Sequence, residues 1–210
     1  MPERAYLPAA GRDAFLPLYD PLTRLLGGEK ILRSLLDQAA LQPNHVVLDI
    51  GCGTGTLAVL VKRLHPTVEV TGLDPDPKAL ARATAKAARA GVALRFDRGF
   101  ADALKYEDGT FDRVFSSMMF HHIPRDDRSG VLAEIRRVLK PGGSLEFLDI
   151  ASSGGHGFLA RLLHGRPPQP PPAEDRLLRR LQDAGLTDAR KVRDLHTIIG
   201  GLAFYQARRS

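Results

Sequence analysis

The chain has 210 residues, 43% of them hydrophobic and 26% charged, a balance typical of one globular domain that excludes a disordered or fibrous protein. Its 30 basic and 24 acidic side chains give a net charge of +6, divided as +3 in each half. The positive charge is therefore not concentrated in a basic tail of the kind that would indicate an anionic partner such as nucleic acid. The apolar runs are too short for a membrane span, and the single cysteine, Cys52, excludes an internal disulfide or a multi-cysteine zinc site and favours the cytoplasm.

Apolar strand-like runs alternate with helix-like segments through the middle of the chain. This alternation predicts an α/β fold, a doubly wound parallel sheet covered by helices on both faces. Gly91 and the Pro-Gly-Gly run at 141–143 are expected to end two of the helices. The predicted strands cover residues 46–50, 68–73, 94–96, 111–116 and 144–150, and the predicted helices cover residues 56–64, 77–90 and 131–139.

The segments on either side of this core predict helical additions to a single domain. Residues 9–41 have the pattern of two amphipathic helices, and residues 167–172 contain five of the fifteen prolines, which indicates a stiff, extended connector. A helix at 177–184, ended by Gly185, and two late strands at 190–199 and 202–207 follow. The predicted organisation is an N-terminal helical cap (1–41), a cofactor-binding core (42–150), a lid or linker (151–175) and a C-terminal helix with strands (176–210).

A glycine-rich loop follows the first predicted strand. Asp49 lies at the carboxyl end of that strand, and Gly51, Gly53 and Gly55 lead into a helix, the place where open α/β sheets bind ligands. A dinucleotide fingerprint would need glycine at 56, which is Thr56, and no Gly-Lys-Ser/Thr is present to hold a triphosphate. An acidic residue in this loop suits a ligand that carries an ammonium group.

Asp74 ends the second predicted strand, nineteen residues after Gly55. A carboxylate at that distance is placed to accept two hydrogen bonds from a ribose diol. An acid at a strand end can instead cap the next helix, but Asp76, directly before Pro77, fits that role better.

Five motifs follow one another at compatible spacing: residues 46–55, Asp74, residues 111–114, residues 120–124 and residues 137–143. Together they resemble the class I S-adenosylmethionine-dependent methyltransferases, in particular the broad subgroup that contains the ubiquinone/menaquinone-biosynthesis enzymes. The resemblance implies a Rossmann-like sheet of seven strands, the last one antiparallel, with S-adenosylmethionine bound over the carboxyl ends of the first strands.

The resemblance also implies a set of cofactor contacts. Asp49, Gly51 and Gly53 would lie near the methionyl part, Asp74 would hold the ribose, and Pro75 would pack on the adenine. The expected cofactor-binding residues are Asp49, Gly51, Cys52, Gly53, Gly55, Asp74, Pro75, Phe100, Ala101, Ser116 and Tyr19.

Two of these contacts depart from the family pattern or lie outside the core. Where relatives carry an acid that accepts from the adenine amino group, this chain has Phe100, so the contact is expected from the backbone N–H of Ala101, while a side-chain contact from Asp102 is in doubt. Tyr19 and Asp20 resemble a pair that lies over the cofactor in relatives.

Methyl transfer is an in-line displacement in which alignment supplies most of the rate, so no universal catalytic residue is required. An acceptor that is a hydroxyl, an acidic carbon or a protonated amine does need a base. His121 and His122, shortly after the fourth strand and Ser116, are the catalytic candidates, although this stretch is common across the subgroup whatever the acceptor. Asp149, at the end of the fifth strand, is a further candidate on the acceptor side or a turn cap.

The sequence therefore predicts a methyltransferase that acts on a small-molecule substrate. One alternative is a lipid or prenylated quinone acceptor at a membrane, met by the basic and apolar segment 155–166; another is a non-catalytic protein that binds S-adenosylmethionine. A nucleic-acid substrate is disfavoured because the target-base motifs of such enzymes are absent. The acceptor and the oligomeric state are left open.

Overall fold

The computed structural model describes residues 27–151, 174–197 and 200–210. The helices are α1 (Gly28–Ala39), α2 (Thr56–Leu64), α3 (Pro77–Arg89), α4 (Arg128–Val138) and α5 (Glu174–Asp183), with a short 3-10 turn at Phe120–His122. The strands are β1 (Val46–Ile50), β2 (Glu69–Asp74), β3 (Arg95–Arg98), β4 (Phe111–Ser117), β5 (Leu139–Ile150), β6 (Leu186–Thr197) and β7 (Gly200–Arg209).

The seven strands form one sheet in the order β3-β2-β1-β4-β5-β7-β6. Strands β1 to β5 pair in parallel, whereas β7 runs antiparallel to both of its neighbours, β5 and β6. The predicted doubly wound fold with an antiparallel last strand is confirmed. Because the first four strands in this order are parallel, the loops after β1, β2, β3 and β4 all meet at one edge.

Strand β1 explains why the sheet is covered on both sides. Val47, Leu48 and Ile50 are all at most 1% exposed, and they alternate between the two faces of the sheet. Leu48 and Ile50 belong to the core on the side of α4 and α5, while Val47 belongs to the core on the side of α1 and α2. A strand buried on both faces fixes the position of the loop that follows it.

Most predicted boundaries agree with the structure to within a few residues, and the largest difference is at the start of β5. Helix α4 ends at Val138, and Leu139 already pairs with Phe111 of β4, before a shift of register restores regular pairing at Ser144. The Pro-Gly-Gly run therefore lies inside an irregular strand rather than between a helix and a strand. Asp76 caps α3 by accepting from the Lys78 N–H at 2.8 Å, as predicted.

Helix α1 is the described part of the predicted N-terminal cap. Leu35, Leu36 and Ala39 are buried against the sheet, and the Gln38 side chain donates to Glu146 of β5 at 2.7 Å. The helix predicted before α1 lies outside the described residues, as do Tyr19, Asp20 and nearly all of the predicted lid or linker, with the segment 155–166 and the prolines 167–172. None of the described helices is both long and apolar enough to span a membrane.

Candidate cofactor and acceptor site

The glycine-rich loop turns sharply at the end of β1. Gly51, Gly53 and Gly55 have φ angles of +68°, +52° and +73°, in the left-handed region that residues other than glycine rarely adopt. The N–H groups of Gly51 and Cys52 both donate to the Leu73 carbonyl of β2, at 2.8 and 3.0 Å. The loop is therefore anchored to the neighbouring strand while it changes direction.

Close neighbours add a second requirement for glycine in this loop. A Cβ atom on Gly51 would lie 2.2 Å from Met119 Cγ, and one on Gly55 would lie 2.8 Å from Ala83 Cβ of α3. Both distances are far below van der Waals contact. The loop can keep this path only with glycine at both positions.

Lys86 of α3 forms hydrogen bonds with the same loop and with the start of α2. Its Nζ donates to the Thr54 hydroxyl at 3.0 Å and to the Thr56 hydroxyl at 2.6 Å. Because Thr54 is 2% exposed, these bonds tie the buried middle of the loop to the third helix.

Asp49 is a buried carboxyl group at the carboxyl edge of β1. It is 2% exposed, and its Oδ2 atom has no hydrogen-bond partner among the described residues. Burial and the negative charge of Asp74 raise the pKa of Asp49 to about 8, although a hydrogen bond from the Ala58 N–H lowers it in part. A nearby positive group would supply the missing partner and favour the ionised form.

Asp74 forms two hydrogen bonds at the end of β2. Its Oδ2 accepts from the Gly53 N–H at 2.8 Å and its Oδ1 from the Asp76 N–H at 2.9 Å. Each carboxylate oxygen can accept a second bond, so the group can still receive both hydroxyls of a diol. Burial raises the pKa of Asp74, although the two N–H groups oppose that effect.

The remaining predicted cofactor residues lie along the same edge, apart from Tyr19, which is outside the described residues. Pro75 follows β2, and Phe100 and Ala101 follow β3, each of them partly exposed. The Cys52 side chain is 9% exposed and packs inside the loop, where burial raises the pKa of its thiol. Ser116 of β4 is buried, and its Oγ has no partner among the described residues.

His121 and Asp149 form a buried pair on the other side of β4. The ring Nδ1 of His121 lies 2.5 Å from Asp149 Oδ1, and the His121 backbone N–H donates to Asp149 Oδ2 at 2.9 Å. Burial opposes ionisation of Asp149, but the His121 ring and the N–H groups of His121 and Ile150 outweigh it, so the pKa of Asp149 lies below its usual range. The His122 ring packs against that of His121, with centroids 4.0 Å apart.

The pairing of His121 with Asp149 was not predicted, although each residue was a candidate by itself. The two are 28 residues apart, and they meet because β4 and β5 pair in parallel. Arg128, a buried arginine at the start of α4, was not predicted either, because an arginine in a helix is normally exposed. No pattern in the sequence marks either feature.

The buried groups fit S-adenosylmethionine on the side of β1 and β2. The partnerless oxygen of Asp49 suits the positive charge of this cofactor, and the remaining acceptor sites of Asp74 suit its ribose. The same edge also holds the buried His121–Asp149 pair, on the side of β4 and β5.

Comparison with known proteins identifies the family of the chain. A family described as a methyltransferase domain matches residues 47–143. The demethylmenaquinone methyltransferase of Thermus thermophilus is 37% identical over 155 residues, which cover 71% of this chain and 70% of the relative. The chain belongs to the class I S-adenosylmethionine-dependent methyltransferases. Other curated relatives of this methyltransferase are matched over a smaller share of their own length, down to 48%.

Solved structures agree with this methyltransferase in fold. A S-adenosylmethionine-dependent methyltransferase from Aquifex aeolicus has a TM-score of 0.70 at 23% identity and covers 93% of this chain and 97% of its own. The [4+2]-cyclase SpnF has a TM-score of 0.74 at 18% identity, over 98% of this chain and 97% of its own. The fold is therefore shared with a protein named for a different reaction.

Proposed function

We propose that this methyltransferase moves a methyl group from S-adenosylmethionine to a small-molecule acceptor, and that His121 takes a proton from the acceptor. The main support for this proposal is the arrangement of residues at one edge of the sheet. The buried carboxyls of Asp49 and Asp74 lie on one side of the glycine loop, and the His121–Asp149 pair lies on the other. The lone buried thiol of Cys52 supports a reducing compartment such as the cytoplasm.

On the cofactor side, the chain binds and orients. When bound, S-adenosylmethionine supplies a methyl group on a positively charged sulfur. Asp49 would give up its proton and balance a positive charge, Asp74 would fix the ribose, and the backbone at Gly51 and Gly53 would let the ligand approach closely. Alignment of this kind provides most of the rate enhancement in a displacement reaction.

On the acceptor side, the chain holds a proton acceptor. The bond from His121 Nδ1 to Asp149 places the ring proton on Nδ1 and leaves Nε2 as the basic nitrogen. As the acceptor atom forms its bond to the methyl carbon, its proton would pass to Nε2, while Asp149 stabilises the charge on the ring. A general base of this kind contributes about 10²- to 10⁴-fold to the rate.

Calorimetry with S-adenosylhomocysteine tests the cofactor side. The wild type is expected to bind it, and Asp74→Ala to bind at least about tenfold more weakly, because each lost bond to a charged group is worth about 1.5–3 kcal/mol. Asp183→Ala, a change of an exposed carboxylate at the end of α5, is the matched control. Undiminished binding by Asp74→Ala would sink the proposal.

A second candidate is a quinone or lipid acceptor presented at a membrane. The name of the Thermus relative supports a quinone, and the basic and apolar composition of residues 155–166 supports a membrane contact. Co-sedimentation with liposomes tests it: charged substitutions at Leu162 and Leu163 should reduce binding, and unchanged binding removes the support.

A third candidate is a protein that binds the cofactor without transferring its methyl group. Its support is the fold shared with the cyclase. A screen of a metabolite library with labelled S-adenosylmethionine distinguishes it from the enzyme, because any labelled product excludes a purely binding role. The same screen identifies the acceptor.

A further inference from the structure

Arg128, in the first turn of α4, is among the largest fully buried side chains of the described residues. It is only 2% exposed. A guanidinium group stays protonated in proteins, so burying it places a permanent positive charge where water cannot compensate. Buried charges of this kind are normally paired with an anion.

The contacts of Arg128 do not provide such an anion. Its Nε donates to the Ile123 carbonyl at 3.0 Å, and its guanidinium carbon lies 5.2 Å from the centre of the Phe120 ring. Its Nη2 is buried and has no hydrogen-bond acceptor among the described residues. Both carboxylate oxygens of Asp149, the nearby acid, are used by His121 and Ile150.

The other charges around Arg128 are mostly positive. Burial lowers the pKa of Arg128; among the described residues, Asp149 raises it, and Arg180 of α5 and Arg125 lower it further. The segment that joins β5 to α5, residues 151–173, contains no Asp or Glu in its sequence. That segment therefore has no carboxylate to offer to Arg128.

We propose that Arg128 is a substrate-binding residue whose Nη2 receives an ionised oxygen group, a carboxylate or phosphate, of the methyl acceptor. The assignment to the acceptor rests on the proposed function. Phe120, which the Arg128 guanidinium contacts, directly precedes His121 in the chain, and Asp149 attracts Arg128 electrostatically while it accepts a hydrogen bond from His121. Nη2 is shielded from bulk water, so an anion that reaches it is held in a low dielectric and more strongly than at an exposed arginine. The acceptor is thus an acid, with its anionic group held at Arg128 beside the His121–Asp149 pair.

Anion binding can be measured before the acceptor is known. Benzoate and phenyl phosphate are titrated against the full chain by calorimetry, with benzamide as the neutral analogue of benzoate, both with and without saturating S-adenosylhomocysteine. We expect both anions to bind at least tenfold more tightly than benzamide. Arg128→Met should weaken benzoate binding at least tenfold, and Arg128→Lys should recover part of it, with the affinity for S-adenosylhomocysteine unchanged in both variants.

Arg63→Met, an equal change of charge at the end of α2, on the opposite edge of the sheet, should leave benzoate binding within twofold of the wild type. If Arg128→Met does not fold, Arg128→Lys alone decides: it keeps the charge but loses the Nη2 donor, so it should still bind benzoate more than twofold more weakly than the wild type. Equal affinity for benzoate and benzamide, or benzoate binding within twofold of the wild type in the folded variants, overturns the proposal.

Two further outcomes separate the sources of failure. If the wild type binds benzoate through Arg128 but not S-adenosylhomocysteine, the anion site stands and the proposed function fails. If phosphatidylglycerol vesicles, but not phosphatidylcholine vesicles, bind the protein through Arg128 and neither small anion does, the ligand is a lipid headgroup and the assignment to a small acceptor is wrong.

Discussion

Asp149 accepts two hydrogen bonds from His121, one from the ring and one from the backbone N–H. The carboxylate therefore fixes both the position of the residue and the orientation of its imidazole. A single residue at the end of β5 in this way controls which ring nitrogen can act as a base.

The first prediction concerns Asp149→Asn. An amide keeps the shape of the carboxylate but cannot stabilise a proton on the His121 ring, so kcat should fall by about 10²- to 10⁴-fold, the contribution of a general base. The affinity for S-adenosylhomocysteine should not change, because Asp149 lies on the acceptor side. Initial rates with an acceptor from the metabolite screen measure kcat, and calorimetry measures the affinity for S-adenosylhomocysteine. An equal loss of kcat and of affinity would show that the role of Asp149 is structural.

The second prediction concerns the pH dependence of folding. The pKa of Asp149 is lowered in the folded protein, so its ionised form stabilises the fold above the unfolded pKa of 3.8, and this contribution is lost as the pH falls through the folded value. The difference in Tm between wild type and Asp149→Asn should be present at about pH 5 and shrink below about pH 4. Asp126→Asn, an exposed acid before α4, is the control; a difference that grows in acid would contradict the linkage.

The third prediction concerns Asp49, whose pKa of about 8 means that it carries a proton at pH 7. A positively charged ligand beside it favours the carboxylate, so binding of S-adenosylmethionine should release a proton and strengthen as the pH rises from 6 to 8. Calorimetry in buffers of different ionisation enthalpy counts the proton. Asp49→Asn should release fewer protons, and the same count in both proteins would remove Asp49 from the charge balance.

The fourth prediction compares two glycines with nearly equal backbone angles. Gly51 (φ +68°) faces Met119, whereas Gly91 (φ +66°), after α3, has nothing within 4 Å of an added Cβ. Alanine costs about 1–2 kcal/mol of backbone strain at either site, but at Gly51 it adds overpacking of about 1–3 kcal/mol. Chemical denaturation should show this excess, and Met119→Ala should remove part of it, because it deletes the Cγ atom 2.2 Å away and keeps the Cβ atom 2.8 Å away.

If Gly51→Ala and Gly91→Ala destabilise equally, the contact with Met119 does not restrict the loop. The comparison separates a backbone requirement for glycine from a steric one at the same kind of turn.

The cofactor side could be predicted because its parts are local in sequence. The strand, the turn at Gly51 and the helix that follows are contiguous, and Asp74 lies at the end of the very next strand. Repeated glycines and a terminal acid leave a pattern that needs no knowledge of the tertiary structure. The assignment of ligand contacts to these residues stays a prediction.

The acceptor side could not be predicted in the same way. His121 and Asp149 meet only because strands β4 and β5 pair. Arg128 is buried, although a charged residue at the start of a helix is normally exposed. The start of β5 was also wrong, since pairing with Phe111 extends the strand back through a glycine run. Each of these features depends on contacts between distant segments.

The antiparallel direction of β7 brings its first residues, not its last, to the edge of the sheet where β5 ends. Thr197 pairs with Gly200, and the Ala151 N–H donates to the Gly201 carbonyl at 2.9 Å, so the turn from β6 to β7 lies at the edge where β5 ends. In the proposed site, a change of length in this hairpin would alter the surface beside the His121–Asp149 pair and leave the glycine loop untouched. Acceptor choice and cofactor binding would then depend on separate segments of the chain and could change independently.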